Sequence, residues 1–242
     1  MKAFNGIRAV KIAGEDGLIF YASGDSLDTA NQVIATLRQA LLTHPSQQTT
    51  PDWLCEAVPA YDSLMVVFDI SRIDYHGVYQ YVRDLPLSVS ESEHTGAGQT
   101  HRLPVWYGAP VANDLALVSA STGLDEAQII TLHQQVAYRV YAVGFAPGFA
   151  YLGELDERLA MPRLANPRKA VPQGAVAIAD RQTAVYPGVS PGGWHLLGLC
   201  PVPLYVPGDS QPIRLQTGDT VEFYAINQQQ YRDWLTTDDR EG

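Results

Sequence analysis

The sequence predicts an α+β domain over residues 1–90 followed by a mainly β domain over residues 91–242, the latter a barrel or a sandwich. Three observations carry this reading. Two helix-periodic runs alternate with two strand-like runs before residue 88, the pattern of a small sheet covered on one side by helices. The stretch SVSESEHTGAGQT, residues 88–100, is nearly free of apolar side chains and concentrates Ser, Glu and Gly, as an exposed linker does. From Tyr138 onward the texture changes to short apolar runs cut by Gly and Pro: YRVYAVGFA, AVAIA, TAVYP, WHLLGLC, PLYV, TVEFYAI. Short strands at such spacing build barrels and sandwiches.

Each element follows from its local pattern. GLIFYAS (residues 17–23) predicts a strand, and SLDTANQVIATLRQALL then sets Ala30, Val33, Ile34, Leu37 and Leu41 on one helical face. SLMVVFDI (residues 63–70) predicts a buried strand by its β-branched and aromatic content. DYHGVYQYVRDL predicts a second amphipathic helix with Tyr75, Val78, Tyr79, Val82 and Leu85 inward. After the linker, RLPVWYG predicts a strand, and in STGLDEAQIITLHQQV a capping box from Thr122 to Asp125 opens a helix. No internal repeat of solenoid length is visible.

Composition bounds the function. With 242 residues, 46% hydrophobic and 17% charged, the chain has ample sequence for a core. No run of about 18 apolar residues occurs, which predicts no membrane span. The start MKAFNGIRAVKIAGEDG lacks the apolar stretch of a secretory signal, which predicts the cytoplasm. Cys55 and Cys200 fit no zinc or redox motif and are expected to be buried thiols. A net charge of −10 argues against nucleic acid as a partner. Residues 139–200 nevertheless hold six basic against four acidic residues, a mildly basic island suited to a small anion, although solvated surface arginines give the same count.

Gly and Pro density peaks in three places: GFAPGFAYLG (144–153), MPRLANPRKAVPQGAVAIA (161–179) and YPGVSPGGW (186–194). Stiff glycine-lined loops let a ligand approach bare backbone N–H groups; tight corners of a small barrel need the same residues. Arg163 and Arg168 each follow a proline, so a constrained segment carries two guanidinium forks fit for a carboxylate or phosphate, or simply two surface cations. Gln182, Thr183, Tyr186 and Ser190 add neutral donors and acceptors. His133 lies on or beside the inward stripe of its helix, where it is either a satisfied core residue or a proton carrier lining a cleft. His195 follows Trp194 on a predicted strand, so one of the two is expected to face the core and the other solvent or a partner. The chain has no phosphate loop, no dinucleotide fingerprint, no nucleophile elbow and no His/Cys/carboxylate cluster at metal spacing. A complete active site is therefore not expected; half of one is.

The segment from Leu132 to Tyr205 resembles the signature of the 5-oxoprolinase B-subunit family, also known as allophanate hydrolase subunit 1, which includes sporulation-kinase inhibitors. Gly-Phe-x-Pro-Gly-Phe-x-Tyr-Leu-Gly, the two Pro-Arg pairs, Val-Pro-x-Gly, Gln-Thr and Ser-Pro-Gly-Gly-Trp carry it, and VPAYDSLMVVFD extends it towards the N-terminus. The resemblance implies an α+β N-terminal domain followed by a mainly β cyclophilin-like barrel. It implies a protein that opens the lactam of 5-oxo-L-proline to glutamate, at the expense of ATP, only together with C-type and A-type 5-oxoprolinase partners. The candidate catalytic residues it brings are His133, Arg163, Arg168 and Tyr186; the candidate substrate-binding residues are Gln182, Ser190, Gly192 and Gly193. On this reading the arginines hold the substrate carboxylate or a transferring phosphoryl group, glycine N–H groups stabilise an oxyanion, and His133 or Tyr186 moves a proton. Replacing Arg168 by Ala is then expected to lower turnover by roughly 10²-fold. Two departures stand out: YGAPVANDL (107–115) lacks a Gly and a Pro usual in the family, and Asp180-Arg181 replaces a glycine before Gln-Thr. Two other functions are compatible with the family: a regulator that binds a histidine kinase, and half of a urea carboxylase-type carboxyltransferase.

Overall fold

A computed structural model describes residues 4–43, 50–86 and 98–238. The chain divides into two compact units, Met1–Thr95 and Gly96–Gly242. Most of the polar stretch expected as a linker lies outside the described residues.

The first unit is a four-stranded antiparallel sheet in the order β1 (Ile7–Ala13), β2 (Gly17–Ala22), β4 (Ser63–Phe68), β3 (Leu54–Ala60). Strand alternation sends Leu18, Phe20 and Ala22 of β2 and Leu64, Val66 and Phe68 of β4 to one buried face. That face packs on α1 (Leu27–Leu42) through Ala30, Ile34, Leu37 and Leu41 and on α2 (Tyr75–Asp84) through Val78 and Val82. Ser26 caps α1 in a box with Thr29, and the Asp74 carboxylate caps α2 by accepting from Gly77 N at 2.7 Å. The expected helix faces hold with two corrections. Val33 is only partly buried and Asn31 takes a buried place instead, its amide donating to Tyr61 O at 2.8 Å. Tyr75 is 55% exposed, because it is the first residue of α2 and the packed stripe starts one turn later at Val78.

The second unit is a closed seven-stranded barrel in the order β10 (Gln182–Val185), β7 (Ala150–Gly153), β6 (Ala137–Val143), β13 (Thr220–Ala225), β5 (Thr100–Tyr107), β12 (His195–Leu199), β9 (Ala175–Ala179). Only the β13–β5 pair is parallel, and the β9–β10 hairpin closes the ring through the two-residue turn Asp180-Arg181. β8 (Arg168–Val171) and β11 (Ser190–Gly192) form a separate antiparallel ribbon. All seven barrel strands contribute to one core, among them Leu103, Val140, Leu152, Ile178, Val185, Leu197 and Phe223. Leu115 and Val118 of α3 (Leu115–Thr122) and Ile129 and Leu132 of α4 (Glu126–Gln134) complete it. α5 (Gln228–Asp238) ends the described chain, with Tyr231 tilted against Trp106.

The capping box sits elsewhere than the sequence suggested. Gly123, at φ 75°, ends α3 in the left-handed conformation, and the Thr122 hydroxyl turns back to Val118 O. Asp125 then caps α4 in a reciprocal box with Gln128. Among the described residues no helix is long and apolar enough to cross a membrane.

Candidate functional site

β9 is buried along its whole length because both of its faces are covered. Val176 and Ile178 point into the barrel, whereas Ala175, Ala177 and Ala179 point outward into a second cluster. Those small outward side chains leave room for aromatic rings to lie against the sheet. Phe149 comes from the first Gly/Pro-rich loop, Tyr186 from the end of β10 and Trp194 from the turn before β12; Tyr151 on β7 joins them. Phe149 is the hub, edge-on to Tyr151 (4.9 Å), Tyr186 (5.3 Å) and Trp194 (5.9 Å). Val171 from the second Gly/Pro-rich stretch lies in the same cluster, so all three stretches meet over one patch of the barrel's outer face.

The two arginines reach this patch and behave differently. Arg168 Nη2 donates to both carboxylate oxygens of Asp114, at 2.6 and 2.8 Å, and Nη1 donates to Trp194 O at 3.2 Å. Asp114 also accepts from Leu196 N at 2.7 Å. With the side chains 32% and 12% exposed, this is a largely buried pair that ties the ribbon to the start of β12. Arg163 instead lays its guanidinium over the buried Trp194 indole, 5.8 Å from the ring centre. Its nearest carboxylate, Asp180, stands 3.9 Å away and both side chains are mostly exposed, so that pair is loose. The segment carrying Arg163 is stitched to the turn carrying Trp194: Leu164 N donates to Gly193 O at 2.7 Å, and His195 Nε2 bonds Pro162 O at 2.9 Å.

Tyr186 is 2% exposed. Burial raises its pKa, and the charges of Arg163 and Arg168 act against that rise. The phenol therefore keeps its proton at neutral pH, which suits support of the ribbon better than proton transfer. Gly192 is there because nothing larger fits: a Cβ would collide with the Tyr186 hydroxyl. Gly192 pairs with Arg168 and Ser190 with Val171 across the ribbon. Gln182 is half-buried at the start of β10, opposite Ala179 and on the outward face shared with Ala184. Arg163, Arg168, Tyr186, Ser190, Gly192 and Gly193 are thus brought together, with Gln182 on the same face of the sheet.

His133 is not among them. It is fully buried in α4, with Nδ1 2.7 Å from Tyr107 Oη and Nε2 2.8 Å from Thr183 Oγ1. Thr183 Oγ1 donates onward to Ala177 O, so Nε2–H donates to Thr183 and Nδ1 accepts from Tyr107. The ring stacks on Phe223 at 4.7 Å, and burial pulls its pKa down to about 3. It is a neutral core residue with no nitrogen free, and the expected proton carrier is corrected accordingly. Thr183, its partner, points inward too and leaves the expected set of ligand donors.

Further expectations are corrected by the packing. Trp194 and His195 are both buried, because loops cover the outer face of β12 as fully as the core covers the inner. Cys55 is exposed, while Cys200 is buried with its thiol pushed up to about 12. At least half of the island's basic side chains are paired: Arg158 with Asp156, Arg181 with Glu154 and Glu157, and Arg168 with Asp114 from outside the island. Asp114 escaped notice because nothing beside it in the chain marks it; its side chain makes no cap bond, being spent on Arg168 and Leu196 N. Depressions of about 380 and 370 Å³ lie elsewhere, one beside α4 around Gln128 and Arg158, the other around Arg8 and Ser26. The arginine face itself is open.

The model of the family described as "Carboxyltransferase domain, subdomain C and D" matches residues 8–215. The chain belongs to that family. Members similar to it include a protein named as the B subunit of 5-oxoprolinase from Bacillus subtilis, 34% identical over 83% of this chain and 87% of its own. The protein of the same name from Haemophilus influenzae is 38% identical over 70% and 78%. Among solved structures, TTHA0988 superposes with a TM-score of 0.74 at 36% identity over 87% of this chain, which spans 40% of the TTHA0988 chain. Kluyveromyces lactis urea carboxylase superposes with a TM-score of 0.76 at 16% identity, covering 97% of this chain and 24% of that one, a likeness of fold alone.

Proposed function

We propose that the chain is the B subunit of an ATP-dependent 5-oxoprolinase, which opens the lactam of 5-oxo-L-proline to L-glutamate in the cytoplasm together with C-type and A-type partners. The observation that carries this reading is the Arg163 guanidinium laid on the Trp194 indole at an open face of the barrel. The substrate is a flat five-membered amide bearing one carboxylate. Arg163 supplies the fork for the carboxylate and the aromatic patch supplies a surface for the ring. Arg168, Asp114 and Tyr186 hold the ribbon that presents them. The relatives named as B subunits of 5-oxoprolinase support the role at the level of the family.

Half a site is what the face offers. It is open, and exposed apolar residues stand on its loops: Val111, Phe145 and Val189. That is the character of a surface completed by a partner protein. In the loop at residues 144–149, Gly144 N and Phe149 N are engaged by Phe149 O and Ala146 O. A kinase regulator has no need for Arg163, Trp194 and Tyr186 to converge, which disfavours that alternative. The urea carboxylase-type carboxyltransferase reading rests on the family's description and on a likeness of fold at 16% identity.

The test is reconstitution with candidate C-type and A-type partners and an assay of ATP-dependent glutamate release from 5-oxoproline. The chain alone is expected to be inert and the assembly active. Arg163→Ala is expected to lower kcat/KM by roughly 10²-fold with assembly intact. Unchanged kinetics remove Arg163 from the site, and an inactive wild-type assembly overturns the reading.

A further inference from the structure

His195 is 3% exposed, and its two ring nitrogens are treated unequally. Nε2 lies 2.9 Å from the Pro162 carbonyl oxygen, while Nδ1 is buried with no hydrogen-bond partner among the described residues. A carbonyl oxygen only accepts, so Nε2 carries the proton and Nδ1 presents a bare lone pair. A buried acceptor that no described residue pairs is costly, and a leucine would fill the same space without that cost. The imidazole therefore contributes through its single bond, and that bond ends on the residue before Arg163. Pro162 has no N–H of its own to anchor it. On the far side of Arg163, Leu164 N is held by Gly193 O at 2.7 Å. Arg163 is thus pinned on both sides to the turn that carries Trp194, the ring its guanidinium covers.

We propose that His195 is a positioning residue for Arg163: its Nε2–H, donated to Pro162 O, holds the backbone at the place from which the guanidinium seats over Trp194. For the consequence in turnover, this rests on the 5-oxoprolinase reading; for the placement of Arg163, it stands on geometry alone. Glutamine brings an amide N–H to the position of Nε2, whereas asparagine reaches only the position of Nδ1. The comparison of His195→Gln with His195→Asn therefore isolates the bond from the mere presence of a polar group. His195→Leu tests the same loss with an apolar filler.

Two measurements decide it. The first is the NMR shift of the Arg163 Nε–H, assigned by its disappearance in Arg163→Ala; stacking on the indole moves it upfield. His195→Gln is expected to keep the shift, and Asn and Leu to lose it. The second is the KM for 5-oxoproline in the reconstituted assembly. It is expected to stay within about twofold for Gln and to rise about tenfold for Asn and Leu, with kcat changing less. Adding His195→Asn to Arg163→Ala is expected to raise KM no further, since both act through one guanidinium. The proposal is overturned if Asn and Leu leave the shift in place, if the two substitutions are additive, or if Asn and Leu both fail to fold. In that last case His195 is a residue of core stability. An inactive wild-type assembly sinks the functional reading, while the NMR comparison still decides the placement of Arg163.

Discussion

A side chain whose polar atoms are all engaged by the fold has nothing left to offer a ligand, and one residue here shows how this decides function. His133 spends both nitrogens on Tyr107 and Thr183 inside the barrel. Its pKa, lowered from 6.5 to about 3 by burial, makes it a stability residue with a defined pH signature. Between those two values the unfolded chain binds a proton that the folded chain refuses. Stability is therefore full above pH 6.5, declines as the pH falls towards 3, and loses on the order of a few kcal/mol from this residue. Urea midpoints measured from pH 7 to pH 4 check this; a flat profile would contradict the buried neutral ring. Arg168 is committed in part, Nη2 to Asp114 and Nη1 to Trp194 O. Arg168→Ala strands a buried carboxylate, so it is expected to cost about 3 kcal/mol in denaturant unfolding and to reduce activity through the loosened ribbon rather than through a lost ligand. Arg168→Ala with Asp114→Asn should recover part of that loss.

At the scale of elements, the ribbon of β8 and β11 turns a barrel corner into a platform. It needs Tyr186 beneath it, and the fit is close enough that position 192 admits only glycine. Gly192→Ala is expected to destabilise by about 1–3 kcal/mol by forcing the phenol aside. Tyr186→Phe in the same chain should recover part of that, because the clash with the hydroxyl goes while the ring stays close. Thermal unfolding of the single and double variants measures both, and equal stability of Gly192→Ala and wild type would refute the contact. Pattern reading located the β9 and β10 runs and the Gly/Pro-rich loops, since each is a local signal. It missed α3, whose apolar residues showed no clear stripe, and so displaced the capping box by three residues.

At the scale of the whole molecule, the exposed side chains Val111, Phe145 and Val189 stand on loops beside the face that carries the Arg163 guanidinium. Phe145 is held there at φ 75°, a conformation that is costly for a bulky residue. If this face receives a second protein, as proposed, Val189→Asp should abolish co-purification with the C-type partner. Because Val189 is exposed, the melting temperature of the isolated chain should move by no more than about 1 °C. Retained co-purification would place the partner elsewhere.

The helical stripes of α1 and α2, the texture change after Tyr138 and the family signature are properties of neighbouring residues, and the sequence by itself determined them. It also marked Arg163, Arg168, Tyr186 and the glycine loops, because such residues are unusual at such density. Which arginine is tied into the fold and which lies open was decided only by the tertiary structure. A carboxylate 54 residues away claims Arg168 and none holds Arg163 firmly. The same holds for His133, whose partners come from β5 and β10, and for His195, whose role depends on a carbonyl 33 residues distant. Hydrogen-bond satisfaction is a matter of proximity in space, and proximity across a closed barrel leaves no periodic mark along the chain.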